Sequence, residues 1–343
     1  MIVRRHSKKY NFLGNSETGI TFRWGRSFQE NPILAPWPEL ADISISNHCS
    51  KGCRFCYRDS KPDQSFMPLT DYKRVLKALT SKELGPVFQV ALGGGEPTEH
   101  PEFIQILEET SRQRIVPNYT TNAENVTDEI IQATKRYCGA IAVSLSPKEI
   151  TEKAEVIKRF IDAGVKVNVH FILSNSSMSE AINILEGVYD SALENINAII
   201  FLTFKPFGRA SSSDILLKDA DFLKFVGMID CPKSKASFGF DACFVPELLK
   251  FTQTNTAFVD SCECGYFSVY IDEKMNVKPC SFTNISDFTF NLNEYSFEDI
   301  WANKFRNYRD ESSTLKSNAC NSCRAANECR GGCYFFPEIN LCK

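Results

Sequence analysis

The segment Cys49-Ser50-Lys51-Gly52-Cys53-Arg54-Phe55-Cys56 brings three thiols together within one short stretch of chain. The Cys-x3-Cys-x2-Cys spacing on a loop lets the three sulfurs converge on three corners of one four-iron cube. A cube held by three thiolates keeps one iron open, and a small molecule with an amine and a carboxylate can chelate that iron. Zinc is the alternative, although zinc sites usually show paired Cys-x2-Cys hooks and a closed set of four ligands.

The composition of the whole chain favours a globular protein that stays in the cytoplasm. Its 343 residues, 43% of them apolar, suffice for one large or two ordinary domains with a sizeable core. No apolar run is long enough for a membrane span, and the amino terminus lacks the apolar core of a secretory signal. With 39 basic against 42 acidic side chains, no basic surface indicates nucleic acid. Fourteen cysteines in the reducing cytosol indicate metal binding rather than disulfides.

From about residue 39, short apolar runs alternate with longer amphipathic ones, a rhythm typical of βα units around a parallel sheet. Six strands are predicted, at 40–46, 87–92, 116–120, 140–145, 165–171 and 198–203. Helices are predicted between them, at 71–80, 101–113, 127–137, 148–163 and 179–192. Six units fall short of the eight of a closed barrel, so we expect an α/β fold with a partial (β/α)6 TIM-like barrel. Its site is expected at the carboxyl ends of the strands.

The second predicted strand ends in Leu92-Gly93-Gly94-Gly95-Glu96-Pro97. Consecutive glycines allow the backbone to approach a ligand closely, and Pro97 fixes the exit of the turn. An ordinary strand-to-helix turn with a capping Glu96 is the alternative. Because this turn lies one βα unit after the cysteine loop, both are expected at the same edge of the sheet.

Together, these two motifs resemble the signature of the radical S-adenosylmethionine (SAM) enzymes. The cysteine loop, with aromatic Phe55 before its third cysteine, is similar to the family's cluster-binding loop, and Gly94-Gly95-Glu96-Pro97 matches its GGEP motif. The resemblance implies that Cys49, Cys53 and Cys56 hold a 4Fe-4S cluster and that the turn holds the amino group of SAM. It also implies reductive cleavage of SAM to a 5'-deoxyadenosyl radical, which abstracts hydrogen from the substrate. Asn122 and Ser144, at later strand ends, are the candidates for the ribose and the carboxylate of SAM.

The carboxyl-terminal cysteines form the second strong pattern. Cys320-x2-Cys323-x5-Cys329-x3-Cys333, followed by Cys342, resembles the second half of the SPASM pattern of peptide- and protein-modifying maturases. Eight thiols suffice for two fully ligated 4Fe-4S clusters, three clusters in all. By resemblance, one auxiliary cluster has the ligands Cys320, Cys323, Cys329 and Cys342, and the other has Cys280, Cys333 and the upstream pair Cys262 and Cys264.

Three alternatives remain open in this region. A zinc ribbon can also close on four of the tail cysteines. Cys243 can replace Cys262 or Cys264, which lie unusually close together. Where the family has a glycine five residues before Cys280, this chain has Met275, which predicts a hairpin other than the usual glycine type.

Two further elements carry candidate functional side chains. Cys243 and Asp241, between the barrel and the tail, are the candidate catalytic residues. Cys243 is a cluster ligand, a hydrogen-atom donor or a buried thiol, and Asp241 is a candidate base. In Phe204-Lys205-Pro206-Phe207-Gly208-Arg209-Ala210, similar to an element of peptide-modifying relatives, Lys205 and Arg209 are expected to meet a carboxylate of substrate or SAM, or only solvent.

The sequence is therefore interpreted as a radical SAM enzyme with three parts: an amino-terminal extension (1–38), the partial barrel (39–245) and a SPASM domain (246–343). The favoured substrate is a ribosomally made precursor peptide that receives a crosslink, thioether or related modification. Flavodoxin or ferredoxin is the expected electron donor, and neither nucleic acid nor membrane is an expected partner. Only 48 residues precede Cys49, too few for the winged-helix leader-binding module that some relatives carry. The alternatives are sulfatase-maturase-like oxidation of a protein residue, modification of a small molecule and, from another class, a zinc-binding protein without enzymatic activity.

Overall fold

A ten-stranded sheet forms the centre of the molecule in the computed structural model, which describes residues 2–256, 259–314, 316, 318–324, 326 and 329–342. The strands are β1 (Ile2–His6), β2 (Asn11–Asn15), β3 (Thr21–Trp24), β4 (Leu40–Ser46), β5 (Thr80–Ser81), β6 (Gly85–Pro86), β7 (Gln89–Gly94), β8 (Val116–Thr121), β9 (Ala140–Leu145), β10 (Val167–Leu173), β11 (Ala198–Thr203), β12 (Phe238–Phe240), β13 (Ser268–Ile271), β14 (Asn276–Lys278) and β15 (Phe290–Asn291). The central sheet has the order β12-β11-β10-β9-β8-β7-β4-β13-β14-β15. All pairs from β12 to β13 are parallel, so these strands end at one edge.

Helices connect the parallel strands and cover the outer face of the sheet. They are α1 (Leu69–Ala78), α2 (Phe103–Arg112), α3 (Asp128–Tyr137), α4 (Glu149–Glu152), α5 (Ala154–Asp162), α6 (Met178–Leu185), α7 (Ala220–Ile229), α8 (Val245–Phe251), α9 (Phe297–Asp299) and α10 (Phe305–Ser312), with a π-helical turn at Ile300–Lys304. In β10, Val169 and Phe171 are buried in the main apolar core, whereas the alternate residues His170 and Ile172 line an internal cavity. Period-2 alternation thus separates a packed outer face from a functional inner face.

The predicted α/β partial barrel is confirmed, and all six predicted strands are present. Those at 40–46, 140–145 and 198–203 have the predicted bounds, and the other three begin or end one or two residues later. The helix predicted at 148–163 divides into α4 and α5, and the one predicted at 179–192 ends at Leu185.

The sheet is larger than the six predicted units because two further parallel strands extend it. β12 pairs with β11 at one side, and β13, from the carboxyl-terminal third, pairs with β4 at the other. One continuous sheet therefore contains strands from both sides of the predicted domain boundary at residue 245. That domain boundary stays a prediction. Both additions are short, three and four residues, which explains why hydrophobic periodicity alone did not indicate them.

The amino-terminal extension forms a separate three-stranded antiparallel sheet, β1-β2-β3. The ring of Phe12 packs edge-on against Phe88, with 5.5 Å between centroids. Arg23 pairs with Glu39 at 3.1 Å and with Glu263 at 2.8 Å, which links this sheet to both later parts of the chain. Within the described ranges, no helix is long and apolar enough to cross a lipid bilayer.

Candidate active site

A cavity of about 450 Å³ opens at the carboxyl ends of the parallel strands, and the two sequence motifs meet on its wall. Such a volume lies within the range typical of small-molecule sites, ~300–1,000 Å³. The predicted site residues on its wall are Cys49, Cys53, Phe55, Cys56, Gly94, Gly95, Glu96, Asn122, Ser144 and Asp241. Pro97 is buried behind the wall, at the start of a 3-10 turn.

The cysteine loop is held by side chains from neighbouring βα loops. Glu99 accepts a 3.0 Å hydrogen bond from the Ser50 N–H and pairs with His48 at 3.2 Å. On the other side, Lys51 forms an ion pair with Glu149, which also accepts a 2.9 Å hydrogen bond from the Ser146 N–H. These contacts hold the loop on both sides of Cys49, at His48 and Ser50, and before Cys53, at Lys51.

Arg209 holds the same loop from a third side. Its Nε donates a 3.1 Å hydrogen bond to the carbonyl of Cys53, and its backbone N–H donates a 3.0 Å one to the carbonyl of Cys56. The preceding Gly208 has φ +69°, and a Cβ there would lie 2.5 Å from the Cys56 carbonyl oxygen. Arg209 thus supports the cysteine loop through its Nε and backbone N–H, and its contact with a ligand carboxylate stays a prediction.

The glycines of the turn after β7 have different roles. A Cβ on Gly94 (φ +108°) would lie 2.0 Å from Ser44 Oγ, and one on Gly95 would lie 1.9 Å from the His48 carbonyl oxygen. These two glycines therefore allow the turn to pack against β4 and the cysteine loop. Gly93, by contrast, lines the cavity with nothing within 4 Å of the position of a Cβ. The close approach expected between glycine and ligand is available at Gly93.

Glu96 connects this turn to the end of β8. One carboxylate oxygen accepts hydrogen bonds from Thr98 Oγ1 at 2.7 Å and Thr121 Oγ1 at 2.6 Å, and the other accepts one from the Asn122 N–H at 2.7 Å. Burial raises the pKa of Glu96, and these donors oppose that effect. Asn122 Nδ2 lies 3.9 Å from Cys49 Sγ, so Glu96 sets the position of an amide beside the cysteine loop.

On the opposite wall, Lys205 and Asp241 form a buried ion pair with an Nζ–Oδ2 distance of 3.1 Å. Thr203 Oγ1 donates a 2.7 Å hydrogen bond to the other oxygen of Asp241, and Lys205 Nζ donates a 2.8 Å one to the Thr203 carbonyl. Burial lowers the pKa of Lys205, but Asp241 together with the neighbouring thiols Cys243 and Cys333 outweighs it, and the net shift is upward. Burial lowers the pKa of the nearby His170 to about 4, so this ring is neutral at physiological pH.

The tail cysteines lie in two groups. Cys320, Cys323, Cys329 and Cys342 line one small cavity of about 40 Å³, between α8 and the tail. This is the set that the sequence assigned to one auxiliary cluster.

The second group contains five thiols rather than four. Cys264 shares hydrogen bonds with Cys262 and Cys280, and Cys333 shares one with Cys243. Cys243 packs with Cys333, Phe207 and Phe282 in an apolar cluster rather than on the wall of the large cavity. The predicted ligands of the second auxiliary cluster thus lie near one another, and Cys243 adjoins them.

The Met275 turn, next to this group, adopts the glycine conformation without a glycine. Met275 has φ +63°, and its N–H donates a 2.9 Å hydrogen bond to the Asp272 carbonyl in the β13–β14 connection. The sequence predicted a hairpin other than the glycine type. This prediction is wrong for the backbone, because Met275 adopts the left-handed conformation that a glycine would. The side chain of Met275 is 4% exposed and packs in the main core, which accounts for a methionine at this position.

The cysteine donors are of the type that holds iron-sulfur clusters. Among the described residues, no three His, Cys, Asp or Glu side chains form a group suited to one metal ion. Each thiolate of a four-iron cluster binds a different iron, so its ligands need not converge on one point. The loop thiols on the large cavity and the two tail groups have the donor type that such clusters use.

Sequence reasoning missed the residues that support the loop and the floor of the cavity. Glu99 and Glu149 follow the ends of β7 and β9 by a few residues, so the sequence pattern could have predicted their place at the edge of the site. Asp42 and Tyr270 gave no such signal, because they lie inside strands that come together only in the folded sheet.

Comparison with protein families gives one match: residues 43–202 match the Radical SAM superfamily. The matched segment runs from β4 to β11 and contains the cysteine loop, the glycine turn, Asn122 and Ser144. The mycofactocin maturase MftC of Mycobacterium tuberculosis is 25% identical over 337 residues, 90% of this chain and 81% of that protein.

Two solved structures share the fold over most of the chain. SuiB of Streptococcus suis, solved with its precursor peptide SuiA, superposes with a TM-score of 0.73 at 18% identity, covering 97% of this chain and 94% of that one. The protein anSMEcpe, solved with bound SAM and a peptide, has a TM-score of 0.65 at 15% identity, covering 89% and 91%. At these identities the likeness concerns the fold.

Proposed function

We propose that this protein is a radical SAM enzyme that modifies a ribosomally made precursor peptide. One observation carries the proposal: the three-cysteine loop and the glycine turn lie on the wall of the same cavity of about 450 Å³. Neither motif alone would distinguish a SAM site from a zinc site or an ordinary turn. A small ligand that binds through its amine and its carboxylate needs the cysteine loop and the glycine turn close enough for one molecule to contact both.

In this proposal, each part of the cavity wall has a distinct role. Cys49, Cys53 and Cys56 hold a 4Fe-4S cluster, and the 93–97 turn receives the amino group of SAM. Asn122 and Ser144 face its ribose and carboxylate, and Phe55 packs beside it. When bound there, SAM supplies on reductive cleavage the radical that takes a hydrogen atom from the substrate.

The tail cysteines are proposed to hold two auxiliary 4Fe-4S clusters. The ligands of one are Cys320, Cys323, Cys329 and Cys342, and those of the other are Cys262, Cys264, Cys280 and Cys333. Asp241 and Cys243 stay the candidate base and hydrogen donor, and the Lys205 ion pair fixes the carboxylate of Asp241 on the cavity wall. A flavodoxin or ferredoxin is the proposed electron donor, and the fourteen cysteines favour the reducing cytoplasm.

The peptide substrate is supported by the relatives. SuiB was solved with a precursor peptide, and MftC is named as the maturase of mycofactocin. The cavity also has space beyond the candidate SAM residues, along a wall that includes His170, Thr203 and Tyr270.

The first test is anaerobic reconstitution followed by SAM cleavage with dithionite. We expect 5'-deoxyadenosine from the parent protein and none from Cys49→Ala. Cys231→Ala is the matched control, because Cys231 is exposed and far in sequence from both motifs. Cleavage that survives in Cys49→Ala would refute the site assignment.

The second test addresses the substrate. Any short open reading frame beside the gene is expressed as a peptide, that peptide is incubated with the enzyme, and the product is analysed by mass spectrometry. A SAM-dependent crosslink or other mass change in that peptide supports the proposal. Change only in a folded protein or a small molecule would instead support the alternative substrate classes.

A further inference from the structure

The floor of the large cavity carries a carboxylate that the proposed SAM site does not use. Asp42 lies on β4, in register with Ala91 of β7 on one side and Tyr270 of β13 on the other. Asp42 and Ser44 alternate onto the inner face of β4, and Ser44 is the residue against which Gly94 packs. Asp42 therefore lies two residues, or about 7 Å, deeper than the glycine turn.

The carboxylate of Asp42 has no hydrogen bond or ion pair within the described part of the chain. The cations on and near the cavity wall already have anionic partners: Lys51 pairs with Glu149, Lys205 with Asp241 and Arg58 with Glu273. Asp42 is partly exposed to the cavity, and desolvation is the sole cause that raises its pKa, to about 7, so no neighbouring charge offsets that cost.

The surroundings of Asp42 are aromatic and contain a buried tyrosine hydroxyl. Tyr57 and Tyr270 line the cavity beside it, and the ring of Tyr57 lies 4.9 Å from that of Phe282. Tyr270 is 2% exposed, and its hydroxyl has no hydrogen-bond partner among the described residues. The Ser44 hydroxyl, near enough to influence the pKa of Tyr270, donates its own hydrogen to the carbonyl of Ser46.

This combination is suited to a positive charge. A partly buried carboxylate without a partner is unfavourable in its charged form, and either uptake of a proton or binding of a cation relieves that cost. Aromatic faces add a further attraction for ammonium and guanidinium groups. The small side chain of Ala91, directly beside Asp42 in the sheet, leaves room on the cavity floor.

We propose that Asp42 anchors a cationic side chain of the substrate, an ammonium or guanidinium group that enters the cavity floor between Tyr57 and Tyr270. This inference rests on the proposed function and narrows it: the peptide carries a Lys or Arg residue near the atom that is modified. SAM also carries positive charge, so the test distinguishes a cationic group of the substrate from one of SAM.

Binding to the SAM-loaded, reconstituted enzyme is measured by calorimetry under anaerobic conditions. The probes are the lysine and arginine derivatives with an acetylated amino terminus and a methylamide carboxyl terminus, with the norleucine derivative as the neutral comparison. We expect Asp42→Asn to weaken the two cationic probes about tenfold or more, since a charged hydrogen bond is lost. Binding of the norleucine derivative should be the same in both proteins.

The control is Asp63→Asn, which removes an exposed aspartate outside the cavity. Ala91→Val is the second variant, because it narrows the floor without touching the carboxylate and keeps the test valid where Asp42→Asn does not fold. We expect it to weaken the cationic probes as well.

Three results would overturn the inference. They are failure of the parent to bind either cationic probe, unchanged binding by Asp42→Asn, and a loss of SAM affinity in that variant as large as its loss of probe affinity. The last would assign Asp42 to the cofactor. Failure of the proposed function is distinguishable, because it is absence of reductive SAM cleavage by the parent protein.

Discussion

The carboxylate of Glu96, on the turn after β7, accepts a 2.7 Å hydrogen bond from the backbone N–H of Asn122, at the end of the neighbouring strand β8. This hydrogen bond joins the glycine turn to Asn122, whose side-chain amide lies beside Cys49, so the two form one connected unit. Glu96, itself on the cavity wall, thus also sets the position of the amide at the proposed SAM site.

Glu96→Gln should disturb this unit. One acceptor oxygen becomes an NH2 donor that faces an existing N–H or hydroxyl donor, so the free energy of unfolding should fall by about 1–3 kcal/mol. The dissociation constant of SAM should rise about tenfold, measured by equilibrium dialysis. Glu83→Gln, on an exposed residue, is the control. Unchanged SAM affinity in Glu96→Gln would contradict this role.

Arg209→Lys should weaken retention of the cluster proposed at the cysteine loop. Lysine keeps the charge but lacks the planar group whose Nε binds the Cys53 carbonyl. We expect iron to be lost during gel filtration, with a weaker electron paramagnetic resonance signal after reduction. Arg112→Lys, a substitution of an exposed arginine on α2, should retain the parent's iron. Equal retention by both variants would show that the loop does not depend on Arg209.

Iron analysis of single cysteine variants tests the two tail groups. The parent should contain about twelve irons, and Cys323→Ala and Cys280→Ala should each contain about eight. Cys231→Ala should match the parent. Cys243→Ser should also match it, because four other thiols of its group suffice. Loss of four irons in Cys243→Ser would make Cys243 a ligand in place of Cys262 or Cys264, and tight zinc without iron would refute the cluster assignment.

Asp42 should make stability depend on pH. Its pKa rises from 3.8 to about 7 on folding, so between these values the folded protein binds more protons than the unfolded chain. Its contribution is fully present below pH 3.8 and is lost as the pH rises through 7, by at most about 4 kcal/mol. Tyr57 and Tyr270, which face Asp42, stay protonated in this range because burial raises their pKa values, Tyr57 to about 12.

The measurement compares Asp42→Asn with the parent in thermal unfolding from pH 5 to 8. The variant should gain stability relative to the parent as the pH rises, and the difference should level off above pH 7. Parallel curves over the whole range would show that Asp42 is solvated in the folded protein.

Met275→Gly separates backbone strain from side-chain packing. Glycine should relieve about 1–2 kcal/mol of left-handed strain, but loss of the buried methionine should cost about 2–5 kcal/mol. We therefore expect a net destabilisation of about 1–3 kcal/mol in denaturant unfolding. Met275→Leu, which keeps most of the volume, should lose less than about 1.5 kcal/mol. A more stable glycine variant would mean that packing contributes little here.

The sequence by itself determined the elements that depend on local pattern. The apolar runs at 40–46, 140–145 and 198–203 form strands with the predicted bounds, and the order of βα units fixes the edge at which they end. The cysteine loop and glycine turn therefore meet on one cavity wall, as their places after two strands predicted. The resemblance of the tail cysteines to the SPASM pattern likewise grouped the four that line the smaller cavity.

Only the tertiary structure decided which side chains support those motifs and which remain unsatisfied. Arg209 follows Cys53 by 156 residues, and its hydrogen bond to the loop carbonyl depends on where β11 lies. Asp42 and Tyr270 become neighbours because β13 returns to pair with β4, a pairing between distant segments that no local period encodes. Local periodicity specifies strands and their ends, whereas the partner of a side chain depends on contacts formed across the whole fold. The cysteine loop at 49–56 thus identifies the chemistry, and the fold supplies the carboxylate at Asp42 that we propose selects its substrate.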